Sequence, residues 1–254
     1  MGYSYSKVDC FSKCPYKYKL HYMDGLRTYP NLDANNPLIV GQAMHLGIET
    51  DVEYALSFYE SQFPFLEEEH LNEEMKLEAL IPKAKRMLPT ESCVFEEPLF
   101  AKGFQGYMDF RTDDWLLDIK YSNQVDTYSK SPQIHVYRYF DELLNGRKIP
   151  HIGYFFIPKV SIKQGKTEEI QDFRRRLTAE LDLARPQVKE VRYSTRQVMS
   201  FFDEIKRIQK ATIYPKKEGW LCDWCEYKGF CQTGSDIDID WENSKEKSYE
   251  STKE

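Results

Sequence analysis

No apolar run in this 254-residue chain approaches the roughly 20 residues of a bilayer-spanning helix, and no secretory signal opens it. These absences exclude a helical membrane protein and make a soluble, cytoplasmic setting the expectation. A large excess of positive charge is missing too. The formal charge is −6, which counts weakly against a nucleic-acid partner until its distribution is followed. Ser235 to Glu254 holds seven acids against three lysines, net −4, leaving −2 for Met1 to Gly234. Within that body, Lys159 to Lys217 carries fifteen basic and eight acidic residues, net +7. Such a region permits phosphate contacts, and a solvated mixed-charge helix surface is the competing reading.

Hydrophobic residues make up 41% of the chain and aromatics 15%, ample for one substantial core. The expected organisation is one domain over 1–234, then an acidic tail over 235–254 whose low hydrophobicity predicts disorder.

The chain is organised around Gly106 to Lys120, GYMDFRTDDWLLDIK. Strand-forming Tyr107, Met108 and Phe110 precede the polar Thr112-Asp113-Asp114, and Trp115, Leu116, Leu117 and Ile119 follow it. A turn centred on Asp113 and Asp114 sets Thr112 opposite Trp115, Phe110 opposite Leu117 and Asp109 opposite Asp118. The two aspartates then have Cβ atoms roughly 5 Å apart. Period-two alternation adds Lys120 to the face of Asp118. Two carboxylates so close repel unless a cation lies between them, and their oxygens suit a divalent metal. A neighbouring lysine can orient or deprotonate water, or steady charge on a phosphate. An ordinary hairpin with solvated charges is the alternative.

Around this hairpin, helices are predicted over Ser4 to Phe11, Tyr16 to Met23, Leu38 to Glu60, Asn72 to Leu88, Pro132 to Leu144, Thr167 to Arg185 and Ser194 to Thr212. Cys93 to Phe100 and Ile149 to Ile157 read as further strands, Asp24 to Pro37 as a loop, and Tyr121 to Ser131 as polar and turn-like. The element order implies an α/β fold, a mixed central sheet flanked by helices. Tyrosines interleave with Lys17, Lys19 and His21 in the second helix, which suits a nucleic-acid surface or, equally, amphipathic packing. Gly41, His45 and Glu49 share one helical face, and Gln133 and Tyr137 lie one turn apart.

Cys222, Cys225 and Cys231 follow C-x2-C-x5-C spacing near the end. In a cytosolic chain such density points to a metal or cluster rather than disulfides. A fourth ligand must come from Cys10, Cys14 or Cys93, and spacing alone separates neither these nor zinc from a 4Fe-4S cluster.

Taken together, five motifs in order resemble the PD-(D/E)XK nuclease superfamily in its RecB-like branch. They are Ser4, Ser6, Cys14, Pro15, Lys17 and Lys19; Gly41, His45 and Glu49; Gly106 and Asp109; Asp118 and Lys120; and Gln133 and Tyr137. One departure is Tyr121-Ser122 after Lys120, where many relatives have Thr-Gly or Thr-Ser. The resemblance implies a restriction-endonuclease-like core and a Mg²⁺- or Mn²⁺-dependent deoxyribonuclease. His45, Asp109, Asp118 and the carbonyl of Ile119 would hold the metal, Lys120 would handle the water and the phosphate charge, and Gln133 and Tyr137 would orient the strand. Glu49 would reach the metal through water or brace its helix. The branch's iron-sulfur members, among them the CRISPR adaptation nucleases and AddB-type helicase-nucleases, imply a 4Fe-4S cluster on Cys14, Cys222, Cys225 and Cys231 that joins the N- and C-terminal segments. Zinc is the alternative there. DNA is the implied partner, single-stranded or end-bearing, in recombination, repair or CRISPR adaptation, with free-standing copies also in phage. A non-catalytic nucleic-acid-binding module and a zinc-stapled structural or partner-binding protein are the competing functions.

Overall fold

The computed structural model describes residues 2–89 and 92–244. In chain order the elements are α1 (Tyr5–Lys13), α2 (Pro15–Tyr18) running into a π-helical turn (Lys19–Met23), α3 (Pro37–Glu49), α4 (Val52–Glu60), α5 (Glu68–Lys85), β1 (Val94–Ala101), β2 (Phe104–Arg111) and β3 (Trp115–Tyr121). There follow α6 (Val125–Ser129), α7 (Gln133–Asn145), β4 (His151–Ile157), α8 (Ile170–Leu183), β5 (Gln187–Val191), α9 (Thr195–Lys210), a 3-10 turn (Trp220–Trp224) and α10 (Lys228–Thr233). No described helix is long and apolar enough to cross a membrane.

The five strands form one sheet in the order β1-β2-β3-β4-β5, with β3 and β4 parallel and the β2–β3 and β4–β5 pairs antiparallel. This is the expected mixed sheet. The predicted hairpin register holds at Phe110 and Leu117. At the tip, Thr112 N–H donates to the Trp115 carbonyl at 2.8 Å, and Thr112 Oγ1 accepts from the N–H of Asp114 and Trp115. A Thr side chain that satisfies two turn amides explains why so tight a turn forms without glycine.

Contacts divide the chain into two compact units. One comprises Leu32–Ala101 and Gly106–Gln197, the other Met1–Asn31, Lys102–Gln105 and Val198–Glu254. The core of the first is built from apolar faces of α3, α4, α5 and α8 packed with Phe110, Leu117, Ile119, Phe155 and Ile157 of the sheet. Gly47 permits a close helix approach there, since a Cβ on it would lie 2.9 Å from that of Ala55. The predicted single helix over Leu38 to Glu60 is two, because Asp51 caps α4 by accepting from Tyr54 N–H.

In the other unit a smaller apolar cluster joins Leu20, Leu26, Tyr227 and Ile239. Ile239 also bridges antiparallel to Thr28, and Asp240 is buried, accepting from Asn243. Within the acidic segment, Ile239 thus packs with Leu20 and Leu26, and Ser244 Oγ accepts the Arg27 N–H at 2.9 Å. Residues 245–254 lie outside the described residues. Tyr18 and Leu20 are buried, while Lys17 pairs with Glu226 and Lys19 with Asp24, both at 2.6 Å. Packing thus accounts for the tyrosine-lysine interleaving.

Candidate metal centre

Helix α3 starts at Asn36, whose side chain accepts from Leu38 N–H, with Pro37 in the first turn. Val40, Ala43, Met44, Gly47 and Ile48 face the core, which turns Gly41, His45 and Glu49 away from it. His45 meets the ends of β2 and β3. Its Nε2 lies 3.0 Å from the Ile119 carbonyl oxygen, which can only accept, so Nε2 carries the proton. In the neutral ring Nδ1 is then the lone-pair donor, and it sits 3.7 Å from Asp109 Oδ2. That same carboxylate oxygen accepts the Ile119 N–H at 2.8 Å.

His45, Glu96 and Asp109 each offer a donor atom within 4.8 Å of the others, the one such group of three or more His, Cys, Asp or Glu among the described residues. Glu96 was absent from the expected set. It stands on β1 with φ +46°, a left-handed backbone uncommon for a side-chain-bearing residue. Partial burial, then Asp109 and Glu49, lift its carboxyl above the ordinary range, while His45 opposes this. The donor atoms of His45, Glu96 and Asp109 could together hold a metal ion. Two adjacent acids in a strand-forming run, Glu96-Glu97, were its only sequence signal. Glu49 is exposed and within electrostatic reach of Glu96.

Asp118 is 1% exposed and pairs with Lys120, Nζ to Oδ2 at 2.6 Å, rather than joining the converged donors. Its Oδ1 is buried without a hydrogen-bond partner. Burial pushes the carboxyl up to about 6 against the pull of Lys120, with Asp109 adding to the rise. Burial alone would lower the Lys120 ammonium, but Asp118 and Asp109 outweigh it and hold the lysine firmly protonated. On α7, Tyr137 is buried and hydrogen-bonds with Gln133, its hydroxyl raised by burial and then by Asp118. The departure at Tyr121 is a packing feature: its hydroxyl is buried with no hydrogen-bond partner.

An imidazole nitrogen, two converging carboxylates and a third, orphaned carboxylate oxygen fit a hard divalent cation. The cysteines present a different picture. Cys14, Cys222, Cys225 and Cys231 are all free and half-buried within one unit. None belongs to a group converged within 4.8 Å, whereas zinc at about 2.3 Å from each sulfur would require about 3.8 Å between them. No converged cysteine cluster, for zinc or for iron and sulfide, is therefore seen among the described residues.

Five of the fifteen basic residues in the stretch Lys159 to Lys217 are ion-paired among the described residues. Arg174 pairs with Glu68, Arg175 with Asp172, Arg176 with Glu168, Lys206 with Asp203 and Arg207 with Glu204. The mixed-charge helix surface describes these residues.

The family model of the PD-(D/E)XK nuclease superfamily matches residues 3–232. No curated protein matches the chain.

Proposed function

The chain belongs to the PD-(D/E)XK nuclease superfamily, and on that premise we propose that it is a Mg²⁺- or Mn²⁺-dependent DNA exonuclease acting on single-stranded or end-bearing DNA. The observation that carries the metal-dependent reading is the convergence of His45, Glu96 and Asp109 beside the buried Asp118–Lys120 pair. A divalent cation held there supplies a Lewis acid for the phosphate and makes water a better nucleophile. His45 and Asp109 would hold it, with the Ile119 carbonyl, Glu96 and Asp118 completing the set. Lys120, kept charged by Asp118, offers its protons to phosphate oxygens as negative charge develops. Gln133 and Tyr137, hydrogen-bonded to each other on α7, orient the strand and Lys120.

The preference for ends, and a place in recombination, repair or CRISPR adaptation with protein partners of those processes, rest on the motif resemblance. They are tested by offering linear single-stranded, linear duplex and closed circular single-stranded DNA with Mg²⁺ or Mn²⁺. Loss of linear strands with circles intact is expected; opening of the circles to linear strands would make the protein an endonuclease.

We also propose a 4Fe-4S cluster on Cys14, Cys222, Cys225 and Cys231. Supporting this is the meeting of the two segments in one unit, through Lys17 with Glu226 and through His21 Nδ1 with the Tyr227 hydroxyl at 2.9 Å. Such a cluster would clip together positions 208 residues apart, a staple role. Iron and sulfide analysis with absorbance of anaerobically purified protein decides: a colourless zinc protein would contradict it.

A further inference from the structure

Helix α6 buries none of its own residues, yet it lies beside the sheet face that carries Lys120. Its one ring, Tyr128, explains why. Lys120 Nζ sits 5.5 Å from the Tyr128 centroid. Beneath, Tyr154 and Phe156 have centroids 6.2 and 6.1 Å from it. Those two residues are the β4 register partners of Asp118 and Lys120, so all four side chains share one face. The segment leading into α6 is fixed as well. Asn123 exchanges two hydrogen bonds with the backbone of Lys159, at 2.8 and 2.9 Å, and Gln124 N–H donates to Ser122 Oγ.

An ammonium carries three protons. Asp118 engages the Lys120 head on one side, and an aromatic face attracts it on another through the ring quadrupole. A Lys120 proton that Asp118 does not take is available to a phosphate oxygen. Without the ring, Lys120 would retain its charge and its 2.6 Å contact with Asp118 but gain freedom to swing about that contact.

Resting on the nuclease reading above, we propose that Tyr128 is a positioning residue, whose ring holds the Lys120 ammonium toward the scissile phosphate through a cation–π contact.

The test is full-length protein with residue 128 replaced by phenylalanine and then by mono-, di- and trifluorophenylalanine, which keep the shape while draining the ring face. Turnover of a single-stranded oligonucleotide is measured with Mn²⁺. Phenylalanine should stay within about twofold of wild type, and kcat should fall stepwise with fluorination to about tenfold lower, with KM unchanged. A flat series, or a rise in KM alone, would overturn the proposal, the latter by making Tyr128 a substrate contact. Wild-type protein that cleaves no DNA would instead overturn the nuclease reading itself, and the positioning role with it. Independently of turnover, the Lys120 side-chain methylene protons should be shifted upfield by the ring current, and Tyr128→Leu should abolish this. Unshifted methylenes in folded wild type would also overturn the proposal.

Discussion

Asp109 Oδ2 accepts the backbone N–H of Ile119 at 2.8 Å while lying 3.7 Å from His45 Nδ1, so one carboxylate both ties β2 to β3 and faces the metal centre. The two duties separate by substitution. Asp109→Asn keeps a side-chain acceptor and should fold nearly as well as wild type, with cleavage lost. Asp109→Ala leaves a backbone donor without its partner and should cost an additional 1–3 kcal/mol or so in denaturant unfolding. Equal stability of the two variants would contradict the bridging role.

Glu96 offers a second separation, because its φ of +46° suits glycine. Glu96→Gly should change stability by no more than about 1 kcal/mol, as relief of the left-handed strain offsets glycine's extra chain entropy. Mn²⁺ affinity, followed by calorimetric titration, should nevertheless fall by about tenfold or more. Unchanged affinity would remove Glu96 from the metal centre.

His135 on α7 is 3% exposed, and its Nδ1 accepts the Ser194 N–H at 3.3 Å. Burial, then Arg138, lower its pKa from 6.5 to about 4. Between those values the unfolded chain binds the proton more readily than the fold, so His135 costs stability as pH falls from 6.5 toward 4. Chemical denaturation across that range should show His135→Asn losing less stability than wild type. Parallel losses would contradict the assignment.

Two glycines of α3 should respond oppositely to alanine. A Cβ at Gly41 meets nothing within 4 Å, so Gly41→Ala should stabilise the helix by up to about 1 kcal/mol. A Cβ at Gly47 would lie 2.3 Å from Ile81 Cδ1, and Gly47→Ala should cost about 1–3 kcal/mol. Thermal melts of both variants check the pair. If Gly41→Ala lowers cleavage despite a higher melting temperature, that open space is used by substrate.

The hairpin and the helical face of His45 were legible because short-range periodicity fixes which side chains share a face. Glu96 was hidden because its role depends on a left-handed kink in β1, which no residue pattern announces. Strand β5, Gln187–Val191, escaped for another reason: it is a short edge strand with almost every side chain exposed, so it lacks apolar alternation. Helix α6 sat within a stretch read as polar turn, and its one anchoring ring is recognisable only once β4 lies beneath it. The placement of Asp118 shows a further limit. Spacing placed it next to Asp109, but its salt bridge to Lys120 and its burial depend on the packed sheet.

The most direct measurement is digestion of end-labelled single-stranded DNA with Mg²⁺ or Mn²⁺ by wild type, Asp118→Ala and Lys120→Ala, each shown to be folded. The predicted result is metal-dependent loss of DNA with wild type and at least about a hundredfold slower loss with both variants. Equal cleavage by all three proteins, or none by folded wild type, would contradict the assignment of this centre as the seat of phosphodiester hydrolysis.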